Sequence, residues 1–447
     1  MKTTIAIVLA AGEGTRMVSN TSKPLHKVAG KSLLGHVLTA ISLAEVDHIA
    51  VVVGRNSSSV EKEAEQWVHN PHFFVQVERF GTAHAVLSAQ KFMEEYPDAD
   101  VLIAFGDTPL VSAETLKQLK DSLGKKHVVS VLGFNAKDPT GYGRLLLENG
   151  ELTAIREHRD ANEDERKVTL CNGGLMALKG EFALKILQRI DNKNIKGEFY
   201  LTDAVKIARA MGQSVTFVEA SEDEVRGVND RVQLAEVEAL MQEKLRRQAM
   251  LQGATMIDPS SVFLSFDTRI GKDVVFEPHV VIGPNVVISD EAVIHAYCHL
   301  ENTHLLPRSQ VGPFARLRSN AIIEEKAKVG NFVEVKNATL GYGVKAGHLS
   351  YLGDANIGAH TNIGAGTITC NYDGWKKYRT FIGEGAFIGS NSSLVAPVEI
   401  GKGAYIGSGS TITKNVPEDA LALGRGRQVV YEGWATRLRE RKSQEKD

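Results

Sequence analysis

The first group of residues with an evident chemistry is a glycine-rich loop that follows the first apolar run of the chain. Gly12 and Gly14 lie in this loop, and two cations, Arg16 and Lys23, follow them. Glycines let backbone amides approach an anion at the start of a helix, and the cations add positive charge for a polyphosphate. Glycines after a first strand are common, so the loop alone indicates only an anion-binding site.

A carboxylate after a second apolar run suggests a metal ion. The run Val101–Phe105 predicts a strand, and it leads directly into Gly106 and Asp107. A hard oxygen ligand at the end of a strand suits Mg²⁺, which keeps several waters and binds substrate phosphates beside one or two protein groups. A single Asp in this place can equally be a helix cap. Together with the glycine-rich loop, however, it favours a Mg²⁺ ligand over a helix cap.

Two better-known phosphate-binding motifs do not fit the loop. The dinucleotide fingerprint requires glycine where Met17 stands, and the loop lacks the Gly-Lys-Ser/Thr of a P-loop. The string Leu9–Met17, with Lys23-Pro24 downstream, instead closely resembles the signature of sugar-1-phosphate nucleotidylyltransferases. That resemblance implies attack by a sugar-phosphate oxygen on the α-phosphorus of a nucleoside triphosphate, with release of pyrophosphate.

The second half of the chain contains a further candidate site. Arg318 and Lys336 are eighteen residues apart and each follows an aliphatic residue in a six-residue repeat. Eighteen residues make one coil of a triangular β-helix, so the two cations should stack about 4.8 Å apart. Stacked like charges destabilise a sheet unless an anion neutralises them. A bound phosphate would do so, with Glu334 facing a neighbouring amine or hydroxyl.

A histidine lies close to this cation pair. His348 is within Lys345–Asp354, one coil further along the chain. Imidazole can take a proton from an attacking amine near neutral pH. Most of the 14 histidines of the chain will be structural or merely solvated, so His348 is a candidate only because of its neighbours and the resemblance given below.

The elements that must position these groups differ between the two halves. Apolar runs alternate with helical stretches up to about residue 230, which predicts a parallel sheet covered by helices. The last two hundred residues predict a parallel β-helix of hexapeptide repeats, with an irregular excursion over Thr369–Phe381. Apolar, mostly aliphatic residues mark the repeat, for example Ile270, Phe276, Ile282, Ile288, Ile294, Leu317, Ile323, Val335, Leu352, Ile363, Ile388 and Ile406. A purely structural solenoid is the alternative.

Three segments follow from these patterns. We expect an α/β Rossmann-like nucleotidylyltransferase domain over 1–230, a linker helix over 231–251, and a left-handed β-helix domain with a charged, solvated tail over 252–447. The repeat slips its frame between Leu305 and Val311 and again near Leu340.

Composition narrows the possible partners. A net charge of −2 gives no reason to expect nucleic acid or a membrane surface. The apolar start Ile5–Ala11 is too short for a signal peptide, and no run approaches the roughly 18 residues of a membrane span. A cytoplasmic location is therefore expected.

The three cysteines have no paired spacing and predict buried small residues rather than a disulfide framework or zinc site.

Beyond these motifs, the chain from the first strand to about Trp434 resembles the family of bifunctional N-acetylglucosamine-1-phosphate uridylyltransferases/glucosamine-1-phosphate N-acetyltransferases. The resemblance is carried by six strings: Leu9–Met17, Asp138–Arg144, Gly227–Asn229, Gly312–Arg316, Lys345–Asp354 and Asn362–Gly374.

The resemblance implies a set of residues for each activity. In the uridylyltransferase half it makes Arg16 and Lys23 catalytic cations and Asp107 and Asn229 ligands of Mg²⁺. UTP or the uridyl product would contact Leu9, Ala10, Ala11, Gly12, Lys23, Gln76, Gly81, Thr82, Phe105, Gly106 and Asp107. The sugar side would contact Gly143, Glu157, Asn172 and Asn229.

In the acetyltransferase half the resemblance makes His348 the general base. The sugar phosphate would contact Arg318, Lys336, Tyr351 and Asn362, and acetyl-CoA would contact Ala365, Asn371, Tyr372, Ser390, Ser408 and Arg425. The expected substrates are glucosamine 1-phosphate, acetyl-CoA, N-acetylglucosamine 1-phosphate and UTP, and the expected assembly is a homotrimer. Phe105 stands where the family has tyrosine, and Ser408 where it has alanine.

Two other interpretations remain open from the sequence. The chain could be a nucleotidylyltransferase for another sugar or nucleotide, with a β-helix that only oligomerises. It could also be a non-catalytic scaffold, since regulatory proteins pair similar domains. The scaffold predicts loss of phosphate and metal groups, yet Arg16, Lys23 and Asp107 are all present.

Overall fold

The computed structural model describes residues 2–55 and 57–445. The chain divides into two units, Met1–Leu245 and Arg246–Asp447, and a long helix, Arg231–Leu251, crosses this boundary. Lys446 and Asp447, at the end of the predicted tail, lie outside the described residues, as do Met1 and Asn56. Within the described ranges, every helix is too short or too polar to span a bilayer.

The first unit is built on one mixed sheet. The strands described in this unit, β1–β11, are Thr4–Ala10, Lys27–Val28, Lys31–Ser32, His48–Val53, His72–Val75, Asp100–Phe105, His127–Asn135, Arg144–Glu148, Glu151–Arg156, Leu170–Leu178 and Ser214–Glu219. The main path is β11-β7-β10-β6-β1-β4-β5, the β8–β9 hairpin joins at β10, and β2 pairs with β3 separately. Strand β10 runs antiparallel to β6 and β7, so the fully parallel sheet expected from the alternation is wrong at this strand.

Helices cover both faces of this sheet. In strand β1, Ile5 and Ile7 belong to one buried cluster, and Ala6 and Val8 belong to the other. A strand that is buried on both faces has a nearly continuous run of apolar residues in its sequence, as β1 does. The α-helices are Leu33–Leu43, Ser58–Glu65, Thr82–Leu87, Gln90–Glu95, Ala113–Asp121, Gly180–Leu187, Asp203–Ala210, Arg231–Leu251 and Trp434–Gln444, the last of which lies in the second unit. The 3₁₀ helices are Thr15–Met17, Lys23–Leu25, Glu165–Lys167 and Pro259–Ser261.

The second unit is the predicted left-handed parallel β-helix, with three faces of short parallel strands. Face A contains Thr255–Met256, Val275–Phe276, Val293–Ile294, Gln310–Val311, Lys328–Asn331, Lys345–His348, Asn362–Ile363, Phe387–Ile388, Tyr405–Ile406 and Leu421–Ala422. Face B contains Val281–Ile282, His299–Leu300, Arg316–Arg318, Glu334–Lys336, Tyr351–Gly353, Ile368–Cys370, Ser393–Val395 and Thr411–Ile412. Face C contains Arg269–Ile270, Val286–Ile288, Thr303–Leu305, Ala321–Ile323, Thr339–Leu340, Ala355–Ile357, Thr380–Ile382 and Val398–Ile400.

The inward column of each face is mostly aliphatic and buried, as the repeat predicts, with Phe276 on face A and Thr369 on face B as exceptions in residue type. On face B, Leu300, Leu317, Val335 and Leu352 are stacked in register and are fully buried. The prediction of the first frame slip, between Leu305 and Val311, is wrong. The repeat shortens to five residues between the inward residues Leu300 and Leu305. The excursion is also shorter than expected, since Thr369 and Cys370 still belong to a face B strand.

The corner between faces A and B carries an exposed aromatic stack. Tyr297 and Phe314 lie parallel with ring centroids 4.8 Å apart, and Phe332 follows at 5.2 Å. All three residues have positive φ at equivalent turn positions, so each coil places its ring over the previous one. Leu349 continues this exposed ridge one coil further.

The end of the chain and the cysteines differ in part from expectation. Residues Trp434–Gln444 of the charged tail form an exposed helix. Cys171 and Cys298 are buried free thiols, whereas Cys370 is partly exposed.

Candidate functional sites

The glycine-rich loop leaves β1 at the edge of the sheet where the parallel strands end. Gly14 has φ 63°, and a Cβ there would come within 2.6 Å of the Lys23 Cβ. Glycine is therefore required both by the backbone and by the lysine stem that packs over it. Arg16, in the following 3₁₀ turn, is exposed and has no ion pair within the described residues, so its charge is available to an anion.

Lys23 is the centre of a polar cluster at this edge. Its ammonium forms an ion pair with Asp107 Oδ2 and lies 3.3 Å from Asn229 Oδ1. The Asp107 carbonyl accepts a hydrogen bond from the Val228 amide at 2.9 Å, which ties the Asp107 turn to the Asn229 segment. The predicted metal ligands therefore converge, although they come from segments far apart in the sequence.

One cavity of about 330 Å³ lies beside this cluster. Every residue assigned to the nucleotide by resemblance lines it: Leu9, Ala10, Ala11, Gly12, Lys23, Gln76, Gly81, Thr82, Phe105, Gly106 and Asp107. Arg79 and Glu198 line it as well and were not predicted. Arg79 forms an ion pair with Glu13 of the glycine-rich loop.

A second cavity of about 450 Å³ shares Phe105 and Asp107 with the first. It is lined by the predicted Arg16, Asn172 and Asn229, and by Thr140, Tyr142 and Gln233, which were not predicted. Asp107 thus stands where the two cavities meet. Two adjoining cavities that share a carboxylate provide separate places for two reactants.

Gly143 and Glu157 do not line the second cavity, although Gly143 directly follows Tyr142, which does. The Gly143 carbonyl accepts a hydrogen bond from the Asn172 amide at 2.8 Å, and a β-bulge in β10 follows Asn172. A β-bulge changes the direction of the side chains next to it and often occurs near a functional site. Here Asn172 Oδ1 accepts a hydrogen bond from the Gly174 amide at 3.0 Å. Glu157 accepts a hydrogen bond from Thr202 Oγ1 at 3.2 Å, and burial raises the pKa of its carboxyl group.

In the β-helix, Arg318 and Lys336 stack in register at the end of face B, as the spacing predicts. Nε and Nη2 of Arg318 each lie 2.6 Å from Glu334 Oε1, so the arginine already has an internal counter-ion. Lys377, from the excursion, comes next to Lys336 and lowers the pKa of that lysine. The cluster therefore carries more positive than negative charge at its exposed edge, which suits a phosphate.

His348 lies at the corner between faces A and B. It is exposed, and its Nδ1 lies 2.5 Å from Asn331 Oδ1, one coil earlier. The corner continues through Ala365, Ser390 and Ser408, whose turns are joined coil to coil by backbone hydrogen bonds of 2.7–3.1 Å. The Arg425 side chain lies near Gly409, beside Ser408. One column of turns thus connects His348 with most residues assigned to acetyl-CoA.

One chain does not bring all the predicted acetyltransferase residues together. Asn362 stands on face A, whereas Arg318, Lys336 and Tyr351 belong to face B. Asn371 is buried beyond the far end of face B, where its amide donates to Asp354, and Tyr372 follows it. Face B therefore separates Asn371 and Tyr372 from the corner that contains Ala365, Ser390 and Ser408.

Some of the residues that the sequence analysis missed could have been found from the sequence, and others could not. Asn331 is 17 residues before His348, so the stacking argument applied to Arg318 and Lys336 finds it once the frame slip near Leu340 shortens the coil by one residue. Lys377 lies in the excursion, where no repeat gives its position. Among the described residues, no group of three or more His, Cys, Asp or Glu side chains is arranged to hold a metal ion.

Three family models match parts of the chain. The MobA-like NTP transferase domain matches residues 6–169, which include the glycine-rich loop and Asp107. The GMPPB C-terminal domain matches 260–371, and the bacterial transferase hexapeptide model, with six repeats, matches 379–414.

Full-length relatives are also similar to the chain. The bifunctional protein GlmU of Azorhizobium caulinodans is 57% identical over 97% of both chains. The bifunctional protein GlmU of Nitrobacter hamburgensis is 57% identical over 98% of this chain and 97% of its own length. The bifunctional protein GlmU of Agrobacterium fabrum is 53% identical over 100% of this chain and 98% of its own length. Because the similarity extends over both units, the chain belongs to the family of bifunctional GlmU proteins.

Proposed function

We propose that the chain makes UDP-N-acetylglucosamine in two steps. The β-helix acetylates glucosamine 1-phosphate with acetyl-CoA, and the first unit then transfers UMP from UTP to the product and releases pyrophosphate. The observation that carries the proposal is the occurrence of two separate polar sites in a chain related to bifunctional proteins over its whole length. We propose the functional division 1–230, 231–251 and 252–447.

The first unit supports nucleotidyl transfer through charge and placement. Lys23, Arg16 and the loop amides would bind the triphosphate in the cavity next to β1, and Asn172 and Asn229 would hold the sugar phosphate in the adjoining one. A sugar-phosphate oxygen then attacks the α-phosphorus, the bond to the bridging oxygen breaks, and pyrophosphate leaves. Glu157 and Gly143 support the sugar side through Thr202 and Asn172.

Mg²⁺ fits the residues present. The oxygens of Asp107 and Asn229 already converge on one cation, the Lys23 ammonium. One carboxylate and one amide oxygen are a donor set that Mg²⁺ accepts when water and phosphate complete its shell. When bound, the ion would supply charge neutralisation at the phosphates.

The β-helix supports acetyl transfer. With its Nδ1 proton directed to Asn331, His348 would accept a proton from the sugar ammonium at Nε2. The free amine then attacks the thioester carbonyl, and the thiol of coenzyme A leaves. Arg318, Lys336 and Lys377 would bind the phosphate of the sugar, which fixes the amine relative to the base.

A homotrimer is part of the proposal. Outward side chains on two faces of a triangular coil diverge, so Asn362 and the face B cations of one chain cannot both surround one sugar phosphate. A second copy supplies the missing side. The exposed ridge of Tyr297, Phe314, Phe332 and Leu349, which leads to His348, is the kind of apolar surface that such an interface covers.

The test is product analysis by mass spectrometry with glucosamine 1-phosphate, acetyl-CoA, UTP and Mg²⁺. We expect UDP-N-acetylglucosamine only when acetyl-CoA is present. His348→Ala should abolish acetylation and spare uridylylation, and Asp107→Ala should do the reverse. Equal loss of both activities from either change in a folded protein would contradict separate sites. A UDP-sugar formed without acetylation would instead favour a β-helix that only oligomerises.

A further inference from the structure

We propose that His84 determines the base specificity of the nucleotide cavity by fixing the orientation of the Gln76 amide. The inference rests on the proposed uridylyl transfer, because it concerns how the same cavity selects its nucleobase. His84 does not line the cavity, so it is a positioning residue that acts through Gln76.

Gln76 is a buried polar residue at the cavity wall. It follows strand β5, its main-chain amide donates to Val53 O at 2.8 Å, and it is only 6% exposed. Its side-chain Nε2 lies 3.3 Å from His84 Nδ1 and 3.5 Å from Gly81 O. A primary amide has two N–H donors, and these two acceptors use both of them when the His84 ring carries its proton on Nε2.

The Gln76 oxygen is therefore the group left for a ligand. Oε1 accepts no hydrogen bond from the described residues, and it is not among the buried polar atoms that lack a partner. It consequently keeps surface accessible from the cavity. The opposite orientation of the amide would direct Oε1 at Gly81 O, which is an acceptor whatever the tautomer of His84, and at the Nδ1 lone pair in the Nε2–H tautomer that the proposal requires, so it is disfavoured.

Gly81 supplies the complementary group. Its main-chain N–H has no acceptor in the described part of the chain, and it borders the same cavity. The residue has φ 118°, and a Cβ there would lie 2.5 Å from Phe199 O, so glycine is required for this path. The cavity wall thus offers one acceptor, Gln76 Oε1, next to one donor, the Gly81 amide.

This pair matches uracil and is reversed for cytosine. Uracil presents N3–H, a donor, beside carbonyl acceptors. Cytosine has a lone pair at N3 and an amino group in place of O4. A site built to pair with a particular hydrogen-bonding edge strongly rejects an analogue that leaves its buried groups unpaired. If the Gln76 amide were free to turn, it would present a donor to N3 of cytosine, and discrimination would fall.

The ring of His84 is held where this role requires it. His84 is in helix Thr82–Leu87, and its ring packs edge-on against Phe80 at 5.3 Å between centroids, with Phe199 at 6.4 Å. These contacts are apolar, so a phenylalanine can replace the ring without its acceptor nitrogen. Asparagine can instead keep an acceptor close to the position of Nδ1.

The experiment measures kcat/KM with UTP and with CTP, using N-acetylglucosamine 1-phosphate and Mg²⁺, for the full-length wild type and three variants. We expect His84→Phe to lower the UTP/CTP ratio about tenfold, as loss of one hydrogen bond of about 1.4 kcal/mol does. His84→Asn should keep the ratio within about threefold. His72→Phe replaces a ring of β5 that packs against Phe92 and should leave the ratio unchanged.

The ratio does not depend on the fraction of active protein, so partial unfolding of a variant does not mask the result. If His84→Phe loses all transfer, His84→Ala is judged by the same ratio. A ratio unchanged in the acceptor-free variant, or lowered equally by His84→Asn, would overturn the inference and leave the proposed function intact. Failure of the wild type to make UDP-N-acetylglucosamine would instead refute the proposed function.

Discussion

Oδ1 of Asn331 lies 2.5 Å from Nδ1 of His348, and the two residues are in register on adjacent strands of face A. Because an amide oxygen only accepts hydrogen bonds, this contact places the imidazole proton on Nδ1 and the lone pair on Nε2. A general base needs this tautomer, with a free nitrogen directed away from its support. Asn331 would therefore position His348 for its proposed role as general base.

We expect Asn331→Leu to lower kcat for acetyl transfer at least about tenfold, because the tautomer and ring orientation are no longer fixed. The KM for acetyl-CoA should change little, and uridylylation should be unaffected. Asn331→Asp keeps an acceptor and should retain most of the rate. Steady-state kinetics across pH would show the difference, and equal rates for the Leu and Asp variants would rule out this role.

The cation cluster at the end of face B leads to a pH-dependent prediction. Lys377 lowers the pKa of Lys336, so Lys336 loses its proton, and its attraction for phosphate, at a lower pH than an ordinary lysine. Lys377→Met removes the neighbouring charge. We expect the KM for glucosamine 1-phosphate to rise about tenfold near neutral pH, where the lost ammonium contributes directly.

The pH dependence of this KM above neutral pH distinguishes an effect of Lys377 on the pKa of Lys336 from a simple loss of charge. In the wild type, KM should rise as pH increases through the lowered pKa of Lys336, and in Lys377→Met that rise should move to higher pH. Lys376→Met, in the same loop, is the matched control and should leave the alkaline limb in place. An unshifted limb in Lys377→Met would show that the two lysines are not coupled.

Much of the two candidate sites could be predicted from the sequence, because many of their residues lie in the hexapeptide repeat or in short sequence motifs. Arg318 and Lys336 stack because eighteen residues make one coil, and the Leu9–Met17 string contains the backbone geometry that the loop needs. The same reasoning would place Asn331 next to His348 if the frame slip near Leu340, which shortens that coil to 17 residues, is taken into account.

The remainder depends on contacts between segments that are distant in sequence. The approach of Lys377 to Lys336 depends on how the excursion folds back, and the Asp373 carboxylate that accepts from the Trp375 and Lys376 amides shapes that loop. The antiparallel course of β10 likewise follows from its pairing with β6 and β7, which no local pattern specifies. Hydrophobic periodicity determines which face of a strand is buried, but not which strand lies beside it.

The Arg79–Glu13 ion pair predicts a rescue. Glu13 lies between Gly12 and Gly14, where the loop amides would face the triphosphate, so its charge would repel that ligand unless Arg79 neutralises it. Arg79→Gln should raise the KM for UTP about three- to tenfold, the effect of one exposed charge of about 1 kcal/mol. The double variant with Glu13→Gln should recover most of the loss.

The neighbouring Arg55–Glu78 pair provides the control, because it is similarly exposed but neither residue lines the cavity. Arg55→Gln should leave the KM for UTP unchanged. Both measurements should be made at low ionic strength, since salt screens exposed charges. Additive effects of Arg79→Gln and Glu13→Gln, without rescue, would show that the pair does not act on the nucleotide.

Glu157 predicts a conflict between stability and function. Burial raises the pKa of its carboxyl group above the value of an unfolded chain, so folding favours the protonated form. That contribution is complete below the unfolded pKa and is lost as pH rises through the folded pKa, so at neutral pH the ionised carboxylate destabilises the first unit. Glu157→Gln should therefore raise Tm at pH 7 by about 2–4 °C, the effect of roughly 1 kcal/mol in a domain of this size. The gain should be much smaller at pH 4, where the wild-type carboxyl is largely protonated.

Calorimetry would check this if the transition of the first unit is identified by its upward shift with UTP, since a ligand stabilises the unit that binds it. Glu148→Gln, an exposed position at the end of β8, should leave Tm unchanged at both pH values. The same Glu157→Gln variant should raise the KM for N-acetylglucosamine 1-phosphate, because the sugar side loses a charged acceptor. An equal gain in Tm at pH 4 and pH 7 would mean that better packing of the amide, rather than removal of a buried charge, stabilises the variant.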